Sequence, residues 1–270
     1  MAWWSVVKSC DPVLRAHALV KDYRRGRAVD EVSLQVLPGE RVGLLGPNGA
    51  GKTTTLLMCL GVVRPDGGTV EILGHQLPRG RYRAMEQVGF VAGYLPLPER
   101  MRVAEYLEMF ARLYGLRDPK AAARRGLERF EVPQLARAMG TELSSGQKTL
   151  IGVVKASLHC PRLMVLDEPT ASLDPEVALR VRNGLRDLSE TDGTALVVTS
   201  HDMVEVERLC DRVVFLSAGR VVANGTAGDI ARQFGRDDLE GVFLHLAASR
   251  GGAVPPDEIL AVESASEIAG

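Results

Sequence analysis

Short apolar runs alternate with stretches of helical period along this chain. From Leu14 to Tyr23 the pattern is strand-like, and Val32-Ser33-Leu34-Gln35-Val36 alternates as a half-buried strand should. Arg24, Arg25, Gly26 and Arg27 form a polar turn between them, and Pro38-Gly39 punctuates the chain before the next strand. That strand is the unbroken apolar run Val42-Gly43-Leu44-Leu45, whose continuity predicts burial on both faces. Residues 54–60 predict a helix ending at Gly61. Pro65-Asp66-Gly67-Gly68 turns the chain into a strand over 69–73, and 88–91 predicts a further core strand.

The period then changes. Val103, Tyr106, Leu107, Phe110 and Leu113 share one helix face closed by Gly115, and Asp118-Pro119 starts another helix with a cap and a first-turn proline. A helical insert from roughly 92 to 160 therefore interrupts the pattern. Strands at 163–166, 194–199 and 213–216 resume it, with helices at 175–188 and 202–209 and a turn at Ala218-Gly219 into Val221-Val222. Such alternation calls for an α/β fold with a mostly parallel sheet and helices on both faces. Asp238 is placed to cap a last helix carrying Leu239, Val242, Phe243 and Leu246 on one face. Beyond Ser249, glycines, prolines and scattered acids predict a flexible tail, so the expected division is 1–235 and 236–270.

Composition narrows the partners. A net charge of −1 with 25% charged residues offers no broad basic field for nucleic acid or anionic lipid. Cys10, Cys59, Cys160 and Cys210 lie far apart without metal-ligand spacing, which predicts small buried thiols in a reducing compartment. No apolar run approaches a membrane span and no secretion signal is evident, so a soluble cytoplasmic chain is expected.

Candidate chemistry centres on Gly46-Pro47-Asn48-Gly49-Ala50-Gly51-Lys52-Thr53 and the following Thr54. A strand enters this stretch and a helix leaves it, the context of a phosphate-binding loop. The glycines let backbone N–H groups wrap inward as an anion cradle, and the positive end of the helix points at the same place. Lys52 reaches the terminal phosphates of a bound nucleoside triphosphate, and the Thr53 hydroxyl ligates Mg²⁺. Leu163-Met164-Val165-Leu166 delivers Asp167 and Glu168 at a strand end, where open α/β sheets bind ligands. Asp167 is placed to hold Mg²⁺ through water, and Glu168 to orient or deprotonate an attacking water. Ser144 and Gln147, spaced as a capping box around Ser145 and Gly146, close a helix N-terminus; the same donors also make an anion site. His201 follows another strand, either as a packed bystander or as a γ-phosphate contact.

In order, the phosphate loop, Leu143-Ser144-Ser145-Gly146-Gln147, the Asp167-Glu168 strand, Ser172-Leu173-Asp174 and His201 resemble the ATP-binding cassette (ABC) ATPases over about 14–234. The resemblance implies a RecA-like P-loop NTPase core with an antiparallel β subdomain and an inserted α-helical subdomain. It further implies that two cassettes, a homodimer or a heterodimer, close head to tail, each ATP lying between one phosphate loop and the other chain's signature helix. Tyr23 would stack on adenine, its alternative being an ordinary strand-end tyrosine. Asp174 would couple the two sites, Glu168 would be the catalytic carboxylate and His201 the γ-phosphate switch. The stretch from Asp202 to Val213, with Gly219-Arg220 and Gly225-Thr226, looks like transporter cassettes, and 239–246 is similar to the closing helix of those serving ABC-2 type exporters. The usual partner there is a separate transmembrane permease, which would place this chain on the inner face of the cell membrane.

Two departures stand out. Gly93 or Tyr94 occupies the position where the family usually has a glutamine, and Ser145 stands where glycine is usual. The first supports an alternative, a nucleotide-switched regulatory module with little hydrolysis; an intact Glu168 argues for turnover. The face of Tyr106, Leu107 and Phe110 reads as core packing, or together with 94–102 as a groove for a permease helix.

Overall fold

The computed structural model describes residues 11–24, 26–92, 97–171, 173–200 and 202–248. Strands β1 (Leu14–Tyr23), β2 (Gly26–Val36), β4 (Gly67–Ile72) and β5 (His75–Gln76) form an antiparallel sheet in the order β2-β1-β4-β5. The larger sheet has the order β10-β9-β3-β8-β7-β6. It is built from β3 (Arg41–Leu45), β6 (Val88–Ala92), β7 (Leu163–Asp167), β8 (Ala195–Thr199), β9 (Arg212–Ser217) and β10 (Arg220–Gly225). Pairing is parallel from β9 through β6; only β10 runs antiparallel, on β9.

Period-two alternation distributes the larger sheet between two cores. Leu163 and Val165 of β7 and Ala195 and Val197 of β8 join the side covered by the small sheet and by α1 (Lys52–Cys59). Met164, Leu166, Leu196 and Val198 join the opposite side, with α3 (Val103–Leu113), α4 (Pro119–Arg129), α5 (Ser145–Ser157) and α6 (Pro175–Asp192). This is why these strands read as continuous apolar runs. A third cluster joins Leu45, Val213 and Phe215 to α7 (Met203–Leu209), α8 (Ala227–Gln233) and α9 (Leu239–Ala248). The short α2 (Arg81–Met85) leads into β6.

The α/β reading and the helical insert hold, with local corrections. The helix after the glycine loop begins at Lys52, so Lys52 and Thr53 belong to its first turn. β2 begins at Gly26, paired with Tyr23, so Gly26 and Arg27 belong to the strand and not to the expected turn, of which Arg25 lies outside the described residues. Tyr106 and Leu107 are buried in the core, which bears out packing as their role. Cys59 is buried and Cys210 partly so, burial pushing both thiols up to about 12. Cys160, expected to be buried, is exposed, because it stands in the turn between α5 and β7 at φ 49°.

Helix α6 is held against the insert at Gly184, where an added Cβ would run into the ring of the fully buried Phe130. Arg129, at the end of α4, also binds Asp192 at 2.5 Å and holds its carboxyl below the usual carboxylate range. Gly184→Ala is expected to destabilise the chain by about 1–3 kcal/mol, since overpacking cannot be relieved by a rigid ring. An unchanged urea midpoint would show that Phe130 has room to move.

Candidate functional site

Three strand ends meet at one edge of the parallel sheet. β3 leads into the glycine loop; β7 ends at Asp167 in register with Thr199 of β8. The loop is tightly braced. Gly46 sits at φ 142°, and a Cβ there would collide with the Leu216 carbonyl. Gly51, at φ 100°, would place a Cβ 2.5 Å from the Ala28 carbonyl oxygen. Only glycine fits at either position. Gly49, at φ 77°, faces open space, as a position that approaches a ligand should. Ala50 lies buried on the inner side, its carbonyl accepting from Gly219 N at 3.2 Å, while Asn48 is exposed.

Lys52 is buried at 8% exposure and folds back over the loop, donating to the Gly46 carbonyl at 2.6 Å and the Pro47 carbonyl at 3.3 Å. The first N–H groups of α1 have no acceptor within the helix, and its dipole adds positive potential at the same point. Thr53 is exposed on this first turn and Thr54 partly buried beside it.

Asp167 and Glu168 are partly buried at the end of β7. Thr199 Oγ1 donates to Asp167 Oδ1 at 2.6 Å, fixing that carboxylate. Glu168 takes a left-handed φ of 52°, and its N–H is shared between the Thr199 carbonyl at 3.2 Å and Thr199 Oγ1 at 3.0 Å. A non-glycine residue in this region is strained, and such strain collects at functional corners. Thr199 was not a sequence candidate; its signal was a hydroxyl at the end of the strand next to the two acids.

A second anion-seeking feature lies elsewhere. Ser144 caps α5, its Oγ accepting from Gln147 N at 3.2 Å while Ser144 N donates to Gln147 Oε1 at 3.0 Å. Ser144 and Ser145 are exposed, and Gly146 is buried against Leu173. Helix α5 packs on α3, α4, α6 and β6, whereas α1 packs on β1, β2 and β4. The two helix N-termini thus belong to different halves of the molecule.

Asp174 opens α6 with an exposed carboxylate that makes no capping bond. Tyr23 stands at the β1–β2 hairpin end, 48% exposed, its ring centroid 5.7 Å from Lys21 Nζ. The same hairpin approaches the loop where Ala28 meets Gly51. His201, Ser172, Gly93, Tyr94 and the tail beyond 248 lie outside the described residues.

The donor set fits a magnesium-bound triphosphate. Among the described residues no three His, Cys, Asp or Glu side chains cluster as a metal cage. One hydroxyl and one pinned carboxylate suit a cation that keeps waters and phosphate oxygens in its shell.

The sequence matches the ABC transporter family over residues 29–171. It is 38% identical to the Nod factor export ATP-binding protein I of Ralstonia nicotianae, over 85% of this chain and 72% of that one. It is 33% identical to the linearmycin resistance ATP-binding protein LnrL of Bacillus subtilis, over 84% and 73%. Among solved structures, an ATP-binding subunit of an ABC transporter superposes with a TM-score of 0.77 at 31% identity, covering 87% of this chain and all but 1% of that one (99%). A dimeric post-hydrolysis ATP-binding cassette bound to ADP and Pi shares the fold at 24% identity and a TM-score of 0.69, covering 79% and 98%.

Proposed function

This chain belongs to the ABC transporter family as an ATP-binding and ATP-hydrolysing subunit, and on that premise we propose that it drives export by closing head to tail on a second cassette. The observation that carries this reading is the separation of the two anion-seeking helix N-termini. A triphosphate on the loop of one copy is completed by Ser144, Ser145, Gly146 and Gln147 of the other, as a two-fold arrangement allows. Export is favoured by the relatives, whose names include Nod factor export and linearmycin resistance. Among the described residues no helix is long and apolar enough to cross a membrane, so the path for cargo is assigned to a separate permease, with this chain peripheral on its cytoplasmic side.

Within each pocket we assign the roles as follows. Tyr23 stacks on the base, a use for which an exposed aromatic ring at a hairpin end is suited. The N–H groups of 48–54 receive the phosphates, and Lys52 exchanges the Gly46 and Pro47 carbonyls for phosphate oxygens. Thr53 and Asp167 would hold Mg²⁺, the Asp167 carboxylate kept in place by Thr199. Mg²⁺ supplies neutralisation of the charge that builds on the phosphate oxygens. Glu168 orients the attacking water and takes its proton. Asp174, exposed at the head of α6, meets the second copy, and His201 contacts the γ-phosphate. The division into a cassette over 1–235 and a C-terminal helix with tail over 236–270 belongs to the same proposal.

Half-site sharing has a direct test. Lys52→Ala removes the loop's cation, and Ser145→Glu puts a carboxylate at the exposed head of α5, where its charge suits the helix but repels phosphate. Each variant alone is expected to stay monomeric in magnesium and a non-hydrolysable ATP analogue. A mixture re-forms pairs holding about one nucleotide each, since one of the two pockets is then intact. A mixture that stays monomeric would sink the shared pocket.

A further inference from the structure

Helices α6 and α7 are joined by long polar side chains. On α6, Arg182 donates from Nε to Glu205 Oε2 at 3.1 Å and from Nη2 to Glu205 Oε1, in the first turn of α7. The two side chains are only 11% and 15% exposed. One helical turn along α6, Arg186 Nη2 donates to the Arg208 carbonyl at 2.7 Å, at the far end of α7. Just beyond α7, Arg41 binds both Glu190 of α6 at 3.1 Å and Asp211 at 2.6 Å. A two-point arginine–carboxylate contact fixes angle as well as distance, and a cation suits a helix C-terminus. Helix α7 is thereby held along its length by α6.

The first turn of α7 is continuous with the catalytic corner. Asp202 caps it by accepting from Glu205 N at 3.1 Å, and Asp202 N donates to Ser200 Oγ at 2.9 Å. The preceding Thr199 holds both Asp167 and the Glu168 N–H. At its other end the same connection reaches Asp174, on which α6 opens.

We propose that Arg182 and Glu205 are a positioning pair for ATP hydrolysis, locking the end of β8, and with it the Asp167–Glu168 corner, to the helix that begins at Asp174. The proposal rests on the ATPase reading above. Neither residue touches nucleotide. A contact made at Asp174 reaches the corner because α6 and α7 turn as one body rather than two.

Removing one partner would strand a nearly buried charge, so the test replaces both with apolar side chains, Arg182→Met with Glu205→Leu. Nucleotide affinity and KM are expected to stay within about two-fold while kcat falls about ten-fold, as a small misplacement of a catalytic group does. Without nucleotide, amide hydrogen exchange over Met203–Leu209 rises in the same variant. Arg182→Lys keeps the charge without the two-point grip, and lowers kcat about three-fold with the fold intact. A double variant with unchanged kcat, or with unchanged exchange, overturns the proposal. A lower kcat accompanied by an equal loss of affinity overturns it as well. A wild-type chain that retains no ATP would instead fell the ATPase reading, which the nucleotide-free exchange measurement tells apart.

Discussion

Glu168→Gln lowers steady-state ATP turnover about 100- to 1000-fold while nucleotide affinity stays unchanged, the range expected when a positioned general base is lost. The substitution is nearly isosteric, so the strained φ of 52° and the paired bonds from its N–H to Thr199 are kept. What disappears is the negative charge proposed to orient water and accept its proton. Because binding and closure survive, the variant accumulates as an ATP-bound pair in sizing chromatography. Turnover within about ten-fold of wild type would move the base to another residue and reopen the regulatory reading.

Lys52→Ala weakens nucleotide binding about 100-fold or more, measured by equilibrium titration with magnesium present. Charge-assisted contacts contribute roughly 1.5–3 kcal/mol each, and Lys52 is placed to make more than one to the terminal phosphates. Without nucleotide the ammonium satisfies the Gly46 and Pro47 carbonyls, and all three residues are buried, so the variant strands acceptors at a cost of roughly 1–3 kcal/mol. The melting temperature is therefore expected to fall as well. Affinity within a few-fold of wild type would mean that the backbone cradle holds the phosphates alone.

The loop was legible because its chemistry is local: glycines at forced backbone angles, a lysine and a hydroxyl all lie between Gly46 and Thr53. The strand ending in Asp167-Glu168 was legible for the same reason, and the core strands announced themselves by unbroken apolar runs. Elements shorter than two periods left no such trace. β5 is two residues long and α2 five. α8 carries only Ile230 and Ala231 into the core, although Thr226 caps it through Asp229 N at 3.2 Å. Long-range polar partners were out of reach of any window. Thr199 meets Asp167 across 32 positions and Arg182 meets Glu205 across 23, distances set by how strands order in the sheet rather than by neighbouring residues. Cys160 failed differently: composition favours burial for a thiol, but a turn outside the core overrode it.

Placing the two phosphate-seeking helix ends in opposite halves of one chain has a consequence for control in the cell. If each pocket is shared between two copies as proposed, an unassembled subunit would hold only fragments of a working engine and consume no fuel while it diffuses. Its output would grow with the square of its abundance until the proposed permease gathered two copies side by side and raised their effective concentration. The membrane partner would then act as the ignition key as well as the conduit, and surplus subunits would idle harmlessly.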